Sequence, residues 1–184
     1  IGSQLIEWPL EHVVKCLVFY HPDDPAALRA EQDALLLEVW QACNKSGHEL
    51  LLEVILPENG PDKDERHYHT MLEHFYQLGI KPDWWKLPPL SSASWQQITA
   101  LIEREDPWSR GILILGLDAP SDKLRAGFAE AAAHPMIKGF AVGRTIFGLP
   151  SRRWMQGELS DEALIEEVKR NYLTLIGYWR EARR

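Results

Sequence analysis

Residues 13–56 read VVKCLVFYHPDDPAALRAEQDALLLEVWQACNKSGHELLLEVIL, and this stretch decides the fold class. Its first eight residues, 13–20, form a nearly continuous apolar run, which is typical of a strand. Asp24 followed by Pro25 then predicts the N-cap and first position of a helix, and Gly47 predicts its left-handed end. A second apolar run, residues 49–56, follows directly. The stretch therefore predicts a strand, a helix and a second strand in parallel pairing.

The same order of elements recurs along the rest of the chain. Further strands are predicted at residues 83–87, 111–117 and 137–142. The remaining helices are predicted at residues 62–78, at 92–105, from about 120–122 to just before His134, and at 161–184. Residues 1–12 are predicted as an entry segment, and a loop is predicted from Gly143. Strict alternation of strands and helices predicts an α/β fold with a parallel sheet covered by helices.

Two architectures have this alternation. A doubly wound open sheet is complete with five strands, whereas a (β/α)8 TIM barrel needs eight strands and about 250 residues. A doubly wound nucleotide-binding fold has a glycine-rich turn after its first strand, but here that turn reads HPDDP. The last strand alternates small residues, Gly139, Ala141 and Gly143, with larger ones. We favour the barrel, with residues 1–184 as a single domain that contains about its last five β/α units.

Composition excludes several classes of protein. The chain has 184 residues, 45% of them hydrophobic, and a net charge of −7 from 20 basic and 27 acidic residues. An acidic protein of this kind is a poor partner for nucleic acids or anionic membranes, and no apolar run approaches the ~20 residues of a membrane span. The two cysteines, Cys16 and Cys43, lie in apolar surroundings, as in a cytoplasmic protein with reduced thiols.

Three charged residues interrupt the first three apolar strands. Lys86 lies near the end of a tryptophan-rich strand, and burial there would favour a free amine able to form a Schiff base with a carbonyl. Glu53 interrupts LLLEVIL and is predicted either as a proton shuttle or as the partner of a lysine in a buried ion pair. Lys15 would orient Glu53, bind a substrate hydroxyl or form that ion pair.

The last two strands end in candidate phosphate-binding residues. Gly143 and Arg144 follow the final strand, where barrels commonly bind phosphate through backbone N–H groups and a cationic side chain. The alternative is an ordinary glycine turn with a surface arginine. Gly116 and Asp118 end the preceding strand and would face the same site, where Asp118 binds a sugar hydroxyl or caps the next helix.

The histidines do not predict a metal site. His67 and His74 share a helical face at a spacing of seven residues, but His69 does not join them, and charged neighbours indicate a solvated surface. A metal-assisted lyase would need histidines and carboxylates clustered at strand ends, where His21 alone is well placed. We therefore expect neither a metal nor a cofactor.

Several segments of the chain resemble a known bacterial domain. VKCLVFYHPDD, LLEVILP, GIKPDWWKLPP, ILILGLDAP and KGFAVGRTIFG are similar to the uncharacterised domain that follows the sugar-kinase half of bacterial 5-dehydro-2-deoxygluconokinases of myo-inositol catabolism. More distantly, the chain resembles class I tagatose-1,6-bisphosphate aldolases, which are (β/α)8 barrels. In that resemblance Lys15, Glu53 and Lys86 match the lysine, glutamate and Schiff-base lysine of strands four, five and six.

The resemblance also implies a function. We expect a class I aldolase-like lyase that cleaves a phosphorylated keto sugar, 5-dehydro-2-deoxygluconate 6-phosphate, in a protein with an N-terminal kinase domain. Gly143 and Arg144 match the aldolases' phosphate loop, whereas Gly116 and Asp118 lie where those enzymes have a serine- and glycine-rich turn. The alternative is a non-catalytic domain that binds a sugar phosphate or dimerises an attached kinase, and in both cases a homo-oligomer is expected.

Overall fold

The computed structural model describes residues 2–184, which contain five strands and seven helices. The strands are β1 (Val14–Phe19), β2 (Leu50–Ile55), β3 (Trp84–Leu87), β4 (Gly111–Ile114) and β5 (Ile137–Phe140). The helices are α1 (Gly2–Leu5), α2 (Ala26–Ser46), α3 (Arg66–Gln77), α4 (Ser92–Glu105), α5 (Ser121–Ala131), α6 (Arg144–Met155) and α7 (Asp161–Ala182).

The five strands form one parallel sheet in the order β1-β2-β3-β4-β5. A doubly wound sheet reverses its strand order at a switch point, whereas a barrel keeps neighbouring strands in chain order. The predicted α/β class is therefore confirmed, and the sequential order is consistent with part of a TIM barrel. Closure of this sheet into a barrel stays a prediction.

The contacts divide the described residues into two compact units. Unit 1 comprises the residues up to Leu87 together with Ala93–Ile112. Unit 2 comprises Pro88–Ser92 and Leu113–Arg184. That residues 1–184 form a single domain stays a prediction, because the division into two units does not test it.

In unit 1, α2 and α3 cover one face of the sheet. Val14 and Leu50 pack in a buried cluster with Ala42 and Cys43 of α2. Trp85 of β3 is completely buried. Its indole N–H donates a 2.9 Å hydrogen bond to the hydroxyl oxygen of Tyr76 on α3. Because side chains alternate along a strand, these residues define one face of β1, β2 and β3.

The opposite face of these strands is only partly covered. Leu17 and Phe19 of β1 point to this face and remain 41% and 49% exposed. The strand register pairs Leu17 with Glu53, and Glu53 with Lys86. All three charged residues of the first strands therefore share the face that α2 and α3 leave uncovered, as residues on the inner face of a barrel do.

Two predicted helix starts differ from the structure because acidic side chains bind elsewhere. Asp24 does not cap α2: its carboxylate accepts a 3.1 Å hydrogen bond from the His21 amide, and Pro25 takes the N-cap position. α3 begins at Arg66 rather than Asp62, because Asp62 and Asp64 accept backbone N–H groups within a turn that precedes the helix. Gly47 ends α2 with φ of 81°, as predicted.

A helix in unit 2 was missed by the sequence prediction. The segment from Gly143 was expected to be a loop, but α6 forms there and contains Pro150. The loop was inferred from Gly143, Arg144 and Gly148. Pro150 lacks the backbone N–H that would bond to the Ile146 carbonyl four residues earlier, and Asn171 of α7 instead donates a 2.8 Å hydrogen bond to this carbonyl.

Aromatic rings form the core of unit 2. Phe128 of α5 stacks on Phe140 of β5 with ring centroids 5.0 Å apart, and Trp179 of α7 meets Phe128 edge-on at 5.6 Å. Gly116, after β4, lies so close to Val142 that an added Cβ would be 2.8 Å from a valine methyl carbon. The glycine therefore permits a close approach of the chain segments that follow β4 and β5.

This close approach predicts the effect of Gly116→Ala. The new methyl group would collide with the rigid, β-branched Val142, so we expect a loss of about 1–3 kcal/mol in the free energy of unfolding. Gly139→Ala is the matched control, because nothing lies within 4 Å of its added Cβ. Urea unfolding of both variants measures the difference; equal stability of the two would contradict the packing role of Gly116.

Candidate active site

A glutamate between two lysines lies on the uncovered face of the sheet in unit 1. Glu53 Oε2 is 2.8 Å from Lys15 Nζ, and Glu53 Oε1 is 3.1 Å from Lys86 Nζ. The strands produce this geometry directly: Lys86 is the register neighbour of Glu53 on β3, and Lys15 lies two residues before the neighbour on β1. We call these three residues the lysine–glutamate group.

The three side chains differ in their access to solvent. Those of Glu53 and Lys86 are 9% and 15% exposed, whereas that of Lys15 is 46% exposed. Burial by itself raises the pKa of Glu53, but the hydrogen bonds and charges of both lysines outweigh it, so the pKa is lowered overall. Glu53 is therefore a carboxylate that accepts hydrogen bonds from two ammonium groups.

The arrangement permits proton transfer at a nearly buried amine. Glu53 Oε1 is close enough to accept a proton from Lys86 Nζ, while Oε2 is held by Lys15. A carboxylate beside a nucleophilic lysine is a pairing that carbonyl chemistry can use. The two expectations for Glu53, an ion pair and a proton shuttle, require the same proximity, and the structure provides it.

In unit 2, Asp118 and Arg144 line one cavity of about 290 Å³. Its lining also includes Arg152 of α6 and Asn171 of α7, which the sequence analysis did not single out. Because these polar residues are brought together from separate helices, helical periodicity alone gave no signal for the cluster. Two arginines beside one aspartate suit a ligand that is anionic and also carries hydroxyl groups.

The two predicted glycines of unit 2 have packing roles. Gly116 permits the approach of Val142, as described above. Gly143 is the N-cap residue of α6, and an added Cβ would lie 3.0 Å from the ring of Phe147. Their binding of phosphate through backbone N–H groups stays a prediction.

His67 and His74 both lie on α3, seven residues apart, but their rings bind different carboxylates. His74 Nε2 is 2.9 Å from Asp33 on α2, whereas His67 Nε2 is 2.7 Å from Asp62. His21 also approaches Asp62, at 3.7 Å. The sequence indicates a good position for His21 but gives no signal for Asp62, since the position of Asp62 depends on the turn before α3.

Fold and site together define an α/β protein whose parallel sheet carries the lysine–glutamate group. The family model described as "Uncharacterized protein conserved in bacteria (DUF2090)" matches residues 1–183. The chain belongs to this family. A search of curated proteins gives no match. Within residues 2–184, none of the helices has the length and apolar character needed to cross a membrane.

The lowered pKa of Glu53 predicts a pH-dependent effect of Glu53→Gln. The substitution leaves two lysines without their counter-charge, and we expect a loss of about 1–3 kcal/mol in the free energy of unfolding at neutral pH. Because the native pKa lies below the unfolded value of about 4.3, this contribution is present above that pH and is lost as the pH falls through the native pKa.

Urea unfolding of the wild type and the variant at several pH values from neutral to acid measures this effect. We expect the difference between the two proteins to shrink towards zero on acidification. Glu31→Gln, which changes an exposed glutamate of α2, is the control and is expected to have little effect at any pH. A stability difference that stays constant down to acid pH would show that the charge of Glu53 is not what stabilises the group.

Proposed function

We propose that this protein is a class I, Schiff-base aldolase acting on a phosphorylated keto sugar. The observation that carries the proposal is the contact of the nearly buried Lys86 amine with the Glu53 carboxylate at 3.1 Å. An imine-forming enzyme needs a nucleophilic amine and a nearby group that moves protons. The sequence resemblance to class I aldolases at Lys15, Glu53 and Lys86 supports the same assignment.

The reaction begins when the Lys86 ammonium group gives a proton to Glu53 Oε1 and the free Nζ attacks the ketone carbon of the substrate. Glu53 then returns this proton to the former ketone oxygen, which leaves as water. Loss of water gives a protonated imine, which draws electrons from the neighbouring carbon–carbon bond. Glu53 accepts the proton of the alcohol on the far side of that bond, the bond breaks, and an aldehyde leaves. The remaining enamine takes up a proton, and water then hydrolyses the imine and releases the second product with free Lys86.

Lys15 acts in this scheme as a positioning residue. Its ammonium group is 2.8 Å from Glu53 Oε2, which leaves Oε1 directed to Lys86. Because Lys15 is half-exposed and Lys86 is not, the two lysines are not interchangeable. The buried amine is the better candidate for the imine, since a covalent intermediate is protected there from solvent.

The resemblance to the domain behind bacterial sugar kinases suggests the substrate. Phosphorylation of 5-dehydro-2-deoxygluconate would supply 5-dehydro-2-deoxygluconate 6-phosphate, and cleavage of this ketose yields a three-carbon phosphate and a semialdehyde. Arg144 and Arg152 line the unit 2 cavity, and two arginines of this kind suit a phosphate group. On this proposal the kinase domain precedes the chain in the same cytoplasmic polypeptide, and the protein is a homo-oligomer.

Borohydride trapping tests the imine directly. The protein is mixed with 5-dehydro-2-deoxygluconate 6-phosphate and borohydride, and its intact mass is measured. We expect a covalent adduct in the wild type that maps to Lys86, and none in Lys86→Met. Retained trapping in Lys86→Met would overturn the assignment.

Lys169→Met is the matched control, because it removes an exposed lysine of α7. It is expected to leave the adduct unchanged. Glu53→Gln is expected to slow carbon–carbon cleavage more than adduct formation, since its proposed proton comes from the substrate alcohol. Binding of the sugar phosphate without any adduct in the wild type would instead favour the non-catalytic, kinase-associated domain.

A further inference from the structure

Three metal-ligating side chains of unit 1 converge near the carboxyl ends of two strands. His21 follows β1 by two residues, and Asp62 and His67 lie between β2 and the first turn of α3. One ligand atom of each lies within 4.8 Å of the others. Ligand-binding sites of parallel α/β proteins are built at this end of the strands.

The two distances from the Asp62 carboxylate to the histidine nitrogens are close to those around a small cation. Asp62 Oδ1 is 2.7 Å from His67 Nε2 and 3.7 Å from His21 Nε2. Bonds of about 2.0–2.1 Å to Zn²⁺ place two tetrahedral ligands about 3.3 Å apart, a value between the two observed distances. An ion would push His67 away from Asp62 and draw His21 closer, each by less than 1 Å.

His21 supplies a second, independent observation. Its side chain is completely buried, and its Nε2 atom has no hydrogen-bond partner among residues 2–184. That nitrogen points towards the Asp62 carboxylate, which lies beyond hydrogen-bonding distance. A buried polar atom without a partner is unfavourable, and such an atom is a sign of a ligand or ion that completes the site.

The proton positions define what a cation must displace. The Asp23 amide donates a 3.1 Å hydrogen bond to His21 Nδ1, so the proton of the neutral ring is on Nε2. Ligation through Nε2 therefore moves this proton to Nδ1 and turns the Asp23 amide away. His67 likewise gives up the N–H group that faces Asp62. Both changes reduce the affinity of the site for a cation. Zn²⁺ is therefore expected to bind more weakly here than in a rigid structural zinc site.

The geometry points to a divalent-cation site formed by His21, Asp62 and His67. Two imidazoles and one carboxylate favour Zn²⁺ and its transition-metal neighbours over Ca²⁺ or Mg²⁺, which prefer oxygen ligands. Three protein ligands leave a fourth position for water or substrate, as in catalytic rather than structural zinc sites. The inference concerns other residues than the lysine–glutamate group and stands independently of imine formation.

Zn²⁺ titration of the full chain tests the site. The protein is first treated with a chelator, and heat of binding is then measured at neutral pH. We expect one equivalent of Zn²⁺ to bind the wild type, with affinity reduced at least ~10-fold in both His67→Gln and Asp62→Asn. Zn²⁺ is also expected to raise the unfolding temperature of the wild type and to have little effect on that of the variants.

His69→Gln is the matched control, because it removes a histidine of the same helix that lies outside the cluster. Its affinity for Zn²⁺ is expected to equal that of the wild type. The absence of Zn²⁺ binding by the wild type would overturn the inference. Equal affinity in His67→Gln would also overturn it, since binding would then occur elsewhere on the chain.

Discussion

The contact of one buried carboxylate with two ammonium groups is the constraint on which this account depends. Glu53 lies in the middle of β2, where an unpaired charge would be strongly unfavourable. Lys15 and Lys86 approach it from the strands on either side, at 2.8 and 3.1 Å. The charges that the three strands carry therefore favour the parallel register of β1, β2 and β3 that brings them into contact.

The contact of Glu53 with the two lysines lies on a defined face of the sheet. Helices cover the face of β1, β2 and β3 opposite to the lysine–glutamate group, so this group points to the side that α2 and α3 leave open. Leu17 and Phe19 on that side are about half exposed. A sheet of this kind offers an apolar surface around a small charged centre, and such surroundings strengthen the electrostatic interactions of that centre.

Sequence reasoning identified what depends on local pattern. Alternating strands and helices follow from apolar periodicity, and the end of α2 follows from Gly47, whose backbone is left-handed. The proximity of Lys15, Glu53 and Lys86 could also be expected, because neighbouring parallel strands bring central residues together. The α/β class thus follows from local pattern, and the candidate site follows from the pairing of the strands that this pattern predicts.

What sequence reasoning missed depends on tertiary contacts. α6 forms despite Pro150 and hydrogen-bonds to α7 through Asn171. Asp62 joins His21 and His67 only because a turn precedes α3. Side-chain hydrogen bonds compete with helix formation at such acidic residues, so a helix start predicted from composition moves by several positions.

Oxygen exchange would test the central claim, imine formation at Lys86, without a trapping reagent. The phosphorylated ketose is incubated with the protein in ¹⁸O-labelled water, and the mass of the recovered ketose is followed. An imine that forms and hydrolyses replaces the ketone oxygen with one from water. We predict protein-dependent exchange that disappears in Lys86→Met and persists in Lys169→Met. Exchange at the uncatalysed rate with the wild-type protein would contradict the account.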